Sequence, residues 1–150
     1  MQTHYVFVDF DNTHLGNIGL LSKSTSKLRI KIFLGSHYVS IPLALARALQ
    51  PLGKDAEYIQ LDHARHNAID FNIAFQLGEL ASQHPDAQFS ILSNDPAFNE
   101  IISGLRAKGV DCTRFSDMES LFKHLSIPTP AVKEEPKSDK VVAIKEPWQR

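Results

Sequence analysis

The stretch VFVDFDNTHL, residues 6–15, drives an apolar run into Asp9 and then places Asp11 and Asn12 two and three positions further on. So short an apolar run reads as a buried strand. A carboxylate at its end would be partly desolvated, an unfavourable position unless something positive stands there. Outward from this stretch, short strand-like runs alternate with longer amphipathic ones. YVFVD (5–9), RIKIFLG (29–35), AEYIQL (56–61), QFSILS (88–93) and VDCTRF (110–115) predict strands, each followed by something helical. Helices are predicted over 41–50, 67–82, 98–109 and 116–125. In the second, Ile69, Ile73, Leu77 and Leu80 form an apolar stripe that Phe71 and Phe75 widen. The third stops on Gly109, and the fourth opens on Ser116 with Glu119 three residues on, a capping box. Strands joined by crossover helices predict an α/β fold over a mostly parallel five-stranded sheet.

With 150 residues, 43% of them hydrophobic, the chain is long enough for one domain with a real core. Its 16 basic and 17 acidic side chains nearly cancel, which argues against a protein that grips duplex DNA by charge alone. The N-terminus lacks a basic segment followed by a long apolar run, and no stretch nears the roughly 20 apolar residues a membrane span needs. A soluble, cytoplasmic protein with no membrane association is expected. A lone cysteine, Cys112, reads as a packed thiol without a role. From Ser126 the composition changes to four prolines and nine charged side chains. This divides the chain into a domain over 1–125 and a flexible tail or linker over 126–150. Within the tail, VVAIKEPW could dock on a protein partner. A homo-oligomer is compatible with the sequence, which does not decide the oligomeric state.

In open parallel sheets, ligands sit beyond the carboxyl ends of the strands. Asp9 closes the first strand, Asp95 follows the fourth in ILSNDPAF, and Asp70 falls in the first turn of the helix after the third. Two unit charges about 4 Å apart repel by roughly 4 kcal/mol at an effective dielectric near 20. Three gathered acids therefore require a counter-charge, and Mg²⁺ or Mn²⁺ suits a hard oxygen donor set. Such an ion points to a phosphodiester substrate. Plainer readings exist for two of the acids: Asp70 as a helix N-terminal residue behind an Asn67 cap, and Asp95 as an N-cap itself.

The stretch DFDNTHL fits the Asp-x-Asp-x-Thr signature of haloacid-dehalogenase-like phosphatases, whose first aspartate attacks phosphorus. VFVDFDN also resembles the first strand of PIN-like and NYN ribonuclease domains. Taken together, HNAIDFNIAFQLGELA, FSILSNDPAFNEIISGLRAKGV and IKIFLGSH resemble a bacterial branch of the PIN-like superfamily over roughly residues 4–115. The resemblance implies a Rossmann-like sheet in the order 3-2-1-4-5. It also implies a metal-dependent endoribonuclease whose catalytic and metal-binding carboxylates are Asp9, Asp70 and Asp95. Asn12, Ser93 and Asn94 would be polar supports at the same rim. Many PIN nucleases carry a further acid on the helix matched by IPLALARALQ, which has none, and Asp11 is expected to point elsewhere. That weighs against two metals. Where relatives have glycine and lysine, this chain has Arg65 and His66, both able to reach a phosphate. As a phosphatase, the chain would use Asp9 as nucleophile, Ser36 as hydroxyl, Lys54 or Lys108 near the phosphate, and Asp95 with Glu100 as a later acidic pair. A third reading is a catalytically inactive RNA- or protein-binding module.

An acidic rim that takes RNA needs basic groups beside it. Lys23 and Lys27, with Arg65 and His66, are the nucleic-acid-binding candidates, whereas Arg29 and Lys31 would coat a solvated edge strand. His14, His37 and His66 fall on loops at the same end. Tyr38 is either a base-stacking side chain or a half-buried tyrosine.

Overall fold

The computed structural model describes residues 2–62 and 67–129. Within them, the apolar runs form β1 (Thr3–Asp9), β2 (Lys27–Leu34), β3 (Ala56–Gln60), β4 (Gln88–Leu92) and β5 (Asp111–Phe115). Every pairing is parallel, and the order is β3-β2-β1-β4-β5. β1 lies in the middle and is buried from His4 through Asp9, as a parallel strand covered on both faces requires. The helices are α1 (Leu43–Leu49), α2 (Ala68–Gln83), α3 (Phe98–Ala107) and α4 (Met118–His124). None of the described helices is long and apolar enough to cross a membrane.

Side chains alternate along β1, so Val6 and Val8 enter one core while Tyr5, Phe7 and Asp9 face the other. The first core packs Ile30 and Ile32 against Leu45 and Leu49 of α1 and Leu121 and Phe122 of α4. The second packs Phe7, Phe33, Phe89 and Ile91 against Ile73 and Leu77 of α2 and Phe98 and Ile102 of α3. Asp9 thus leaves its strand on the same side as α2 and α3.

Some elements depart from the sequence reading. The β1–β2 connection holds no α-helix, only 3-10 segments at Phe10–Asn12 and Ile18–Lys23. Gly16, Gly19 and a left-handed Asn17 (φ 61) break it up, though Ile18 and Leu21 still reach the core. On α2, Ile69, Ile73 and Leu77 are buried, but Phe71 and Phe75 stand 71% and 68% exposed rather than widening the stripe. At roughly 100° per residue, both rings point away from the sheet. The cap of α4 is Asp117, whose side chain accepts from the Ser120 N–H at 2.8 Å, one position later than Ser116. Gly109 ends α3 as expected, at φ 83, with its N–H on the Arg106 carbonyl at 2.9 Å. Cys112 is fully buried, and burial pushes its thiol up to about 12. Packing runs on to Leu125 and Ile127, both core members.

Candidate active site

β1 ends on Asp9 between β2 and β4, so its carboxylate is fully buried. Oδ2 accepts from Asn12 Nδ2 at 3.0 Å and from Ser93 Oγ at 2.8 Å. Oδ1 is buried with no hydrogen-bond partner. Burial raises the pKa of Asp9, the Asn12 and Ser93 bonds oppose that rise, and the charges of Asp11 and Asp95 add to it.

Ser93 leaves β4 with its N–H on the Phe115 carbonyl at 3.0 Å, which fixes it at the rim. Its hydroxyl donates to Asp9 and accepts from the Asp95 N–H at 3.0 Å, so one oxygen spaces the two acids. Asp95 Oδ1 accepts from the Ala97 N–H at 2.9 Å in the turn ahead of α3, whose N-cap is Ala97 and not Asp95 and carries no side-chain bond. The turns after β1 and β4 are stitched together: the Asn94 N–H donates to the Asn12 carbonyl at 2.9 Å, and Thr13 Oγ1 donates to the Leu92 carbonyl at 2.9 Å. Asn94 therefore supports the rim through its backbone.

Asp11 stands at this same rim rather than pointing elsewhere. It acts on Asp9 and is hydrogen-bonded to Tyr38, whose phenol is pushed up to about 12 by burial first and then by Asp11 and Asp9. Tyr38 is half-buried, edge-on to Phe10 at 5.0 Å between ring centres and 4.2 Å from His37. Gly35 makes room for this corner, since a Cβ there would lie 2.7 Å from His37 Cε1. His14 lines a cleft of about 510 Å³ with Phe10, Thr13 and Leu45.

Asp70 sits half-buried in the first turn of α2. Asn67 precedes that turn in a left-handed conformation (φ 62) and makes no side-chain cap. Among the described residues, no group of three or more His, Cys, Asp or Glu side chains is gathered closely enough to hold a metal ion.

Lys27 opens β2 opposite Thr3, whereas Asp9 lies opposite Phe33. Six residues of strand, about 20 Å, separate them. Lys23 ends the 3-10 segment just before it, so both lysines belong to the far end of the sheet. Because β2 is parallel to β1, the chain has to return to that end before β2 can start. Arg29 and Lys31 lie on an interior strand, not an edge, and approach Asp55 at 3.9 Å and Glu57 at 2.7 Å. Arg65 and His66 lie outside the described residues. Lys54 and Lys108 come just before β3 and β5, also at the far end, so neither of them is the lysine a phosphatase built on Asp9 would need. The rim cation that sequence reading missed is Arg114. It lies next to last on β5, donating from Nη1 to the Ser93 carbonyl and from Nε to Asn99 Oδ1, both at 3.1 Å. An arginine beside the end of an edge strand was the available signal.

A buried strand-end carboxylate, a serine-linked second acid and the 3-2-1-4-5 parallel sheet together define the PIN class of α/β domain. A family model described as PIN domain matches residues 3–115, and the chain belongs to that family. PIN domains in general are metal-dependent nucleases, associated with RNA. Among solved structures, the fold is similar to a protein of unknown function, VPA0982 from Vibrio parahaemolyticus RIMD 2210633. The TM-score is 0.58 at 13% identity, over 80% of this chain and 83% of that one. No curated protein matches the sequence.

Proposed function

We propose that this PIN domain is a divalent-metal-dependent endoribonuclease acting on single-stranded RNA, with Asp9 and Asp95 as its catalytic and metal-binding carboxylates and Asp70, which is not gathered with them in the metal-free chain, as a third that the ion would draw in. One observation carries the reading: Asp9 Oδ1 is buried without a partner while Oδ2 is held by two donors. A hard cation is the partner such an oxygen lacks. Asp95 and Asp11, which both act on Asp9, place further carboxylates beside it. These donors are all oxygens and fit Mg²⁺ or Mn²⁺, and Mg²⁺ needs only one or two carboxylates because it retains several waters.

When bound, the cation supplies stabilisation of charge developing on a phosphoryl oxygen and eases deprotonation of a water. The chain's own groups prepare that chemistry. Asn12 and Ser93 fix the rotamer of Asp9, and the Ser93 hydroxyl sets the spacing to Asp95. Arg114 spends two donors on Ser93 and Asn99 and has others to offer a phosphate oxygen. A near-neutral chain with few cations at the rim suits one strand better than a duplex.

The test is cleavage of a labelled single-stranded RNA with Mn²⁺ and with EDTA, beside the melting temperature with and without Mn²⁺. Cleavage requires the metal and vanishes in Asp9→Asn, and Mn²⁺ raises the melting temperature of the wild type but not of that variant. RNA degraded equally well in EDTA rejects the proposal. RNA binding without turnover under any metal indicates instead an inactive binding module.

A further inference from the structure

The exposed side of α2 is built unlike a helix face meant for water. Phe71 and Phe75 stand 71% and 68% exposed, one turn apart, opposite the buried Ile73 and Leu77. The same stripe continues through Gly78 and Ser82, both exposed, and all four positions fall within roughly 60° of arc. Gly78 is anomalous in its own right. A glycine inside an exposed helix is unfavourable, and a Cβ there would meet nothing within 4 Å, so nothing in its own chain requires the missing side chain. Gly104 on α3 is equally open, but Glu100, Ser103 and Ala107 around it offer no large apolar side chain.

The order along the stripe, two large rings and then two small residues, is self-complementary. Laid antiparallel on a second copy, Phe71 meets Ser82 and Phe75 meets Gly78, and the same pairs repeat across the two-fold axis. This is the isologous arrangement that a symmetric dimer requires. We propose that α2 is the dimerisation face of this protein, two copies packing antiparallel with the rings of each seated over Gly78 and Ser82 of the other. The four rings, each a side chain that buries roughly 150–250 Å² when covered, supply about a third to a half of the smallest stable interfaces. The rest has to come from the flanks of this 16-residue helix. Small residues at the crossing allow the helices to approach closely.

Sedimentation of the full chain across concentration tests this. The wild type runs as a species of twice 16.8 kDa that dissociates on dilution. Phe75→Asp is monomeric with an unchanged circular dichroism spectrum, and Gly78→Leu weakens association at least tenfold. Gly78→Ala weakens association while raising the melting temperature of the dilute monomer, a split that a purely local role for the glycine does not give. Phe71→Cys/Ser82→Cys forms a disulfide between chains, since 11 residues of helix, about 16 Å, keep the two apart within one chain. A wild type that is monomeric at about 100 µM overturns the proposal, as does a dimer that survives both Phe75→Asp and Gly78→Leu. A monomer whose affinity for a labelled oligouridylate drops in Phe75→Asp overturns it in favour of base stacking.

Discussion

Burial sets the carboxyl of Asp9 against its own charge, and Asp11 and Asp95 add to the conflict. Asp9→Asn removes that charge and leaves an amide able to keep one of the existing bonds. Cleavage falls to background while the metal-free protein gains about 1 kcal/mol, or roughly 3 °C in melting temperature. Nuclease assay and thermal melt on one preparation check both halves. Ser93→Ala acts in the opposite sense. It takes the 2.8 Å donor from Asp9 and the 3.0 Å acceptor from the Asp95 N–H. About 1–3 kcal/mol of stability is lost. With one fewer bond to its charged form, Asp9 rises further in pKa, and the acidic limb of the pH–rate profile moves to higher pH. An unchanged limb would show that Ser93 does not tune the acid.

Helix ends and faces show where local signals sufficed and where they did not. Asp117, not Ser116, caps α4, so Asp117→Ala costs about 1 kcal/mol in urea unfolding and Ser116→Ala almost nothing. Both residues are good caps by type, and extended backbone at 117 (φ −147, ψ 163) decides between them. The strands were legible because Val, Ile and Phe in short runs leave few other choices. The 3-2-1-4-5 order, by contrast, came from resemblance rather than periodicity. The β1–β2 crossover could not be read, because Gly16, Asn17 and Gly19 suppress helix while Ile18 and Leu21 still bury. Phe71 and Phe75 read as core by their ring chemistry, but helical angle sets them opposite the buried Ile73 and Leu77. At the site, Asp9 and Asp95 were visible as acids ending strands. The partner of Asp11 was not, since Tyr38 arrives from the loop after β2 and no local pattern links the two. Lys27 was misplaced because nearness to Asp9 in sequence means little once a parallel crossover intervenes.

At the scale of the whole molecule, two buried groups at opposite ends of β1, His4 and Asp9, answer acid in opposite directions. His4, 1% exposed, has Nε2 2.6 Å from Ser90 Oγ, while Nδ1 is buried without a partner. Its pKa is lowered from 6.5 to about 4, by burial first and then by His124, with Asp111 and Gln88 pulling the other way. The unfolded chain takes up this proton below pH 6.5 and the folded chain only near 4, so stability declines through that window and levels off beneath it. At about 1.4 kcal/mol per pKa unit, the loss totals roughly 3 kcal/mol. Asp9 runs the other way. Its folded pKa lies above 3.8, so the metal-free protein is relieved of an unfavourable charge as pH falls through that folded value, and the relief is complete below 3.8. Urea unfolding between pH 7 and 3.5 separates the two. His4→Leu/Ser90→Ala, which removes the titrating ring and its hydroxyl partner together, flattens the decline between pH 6.5 and 4. Asp9→Asn steepens it, because the compensating relief is gone, and saturating Mn²⁺ steepens it in the wild type too, since the metal is displaced as Asp9 takes its proton. A decline that is the same in all of these would place the acid sensitivity elsewhere in the sheet.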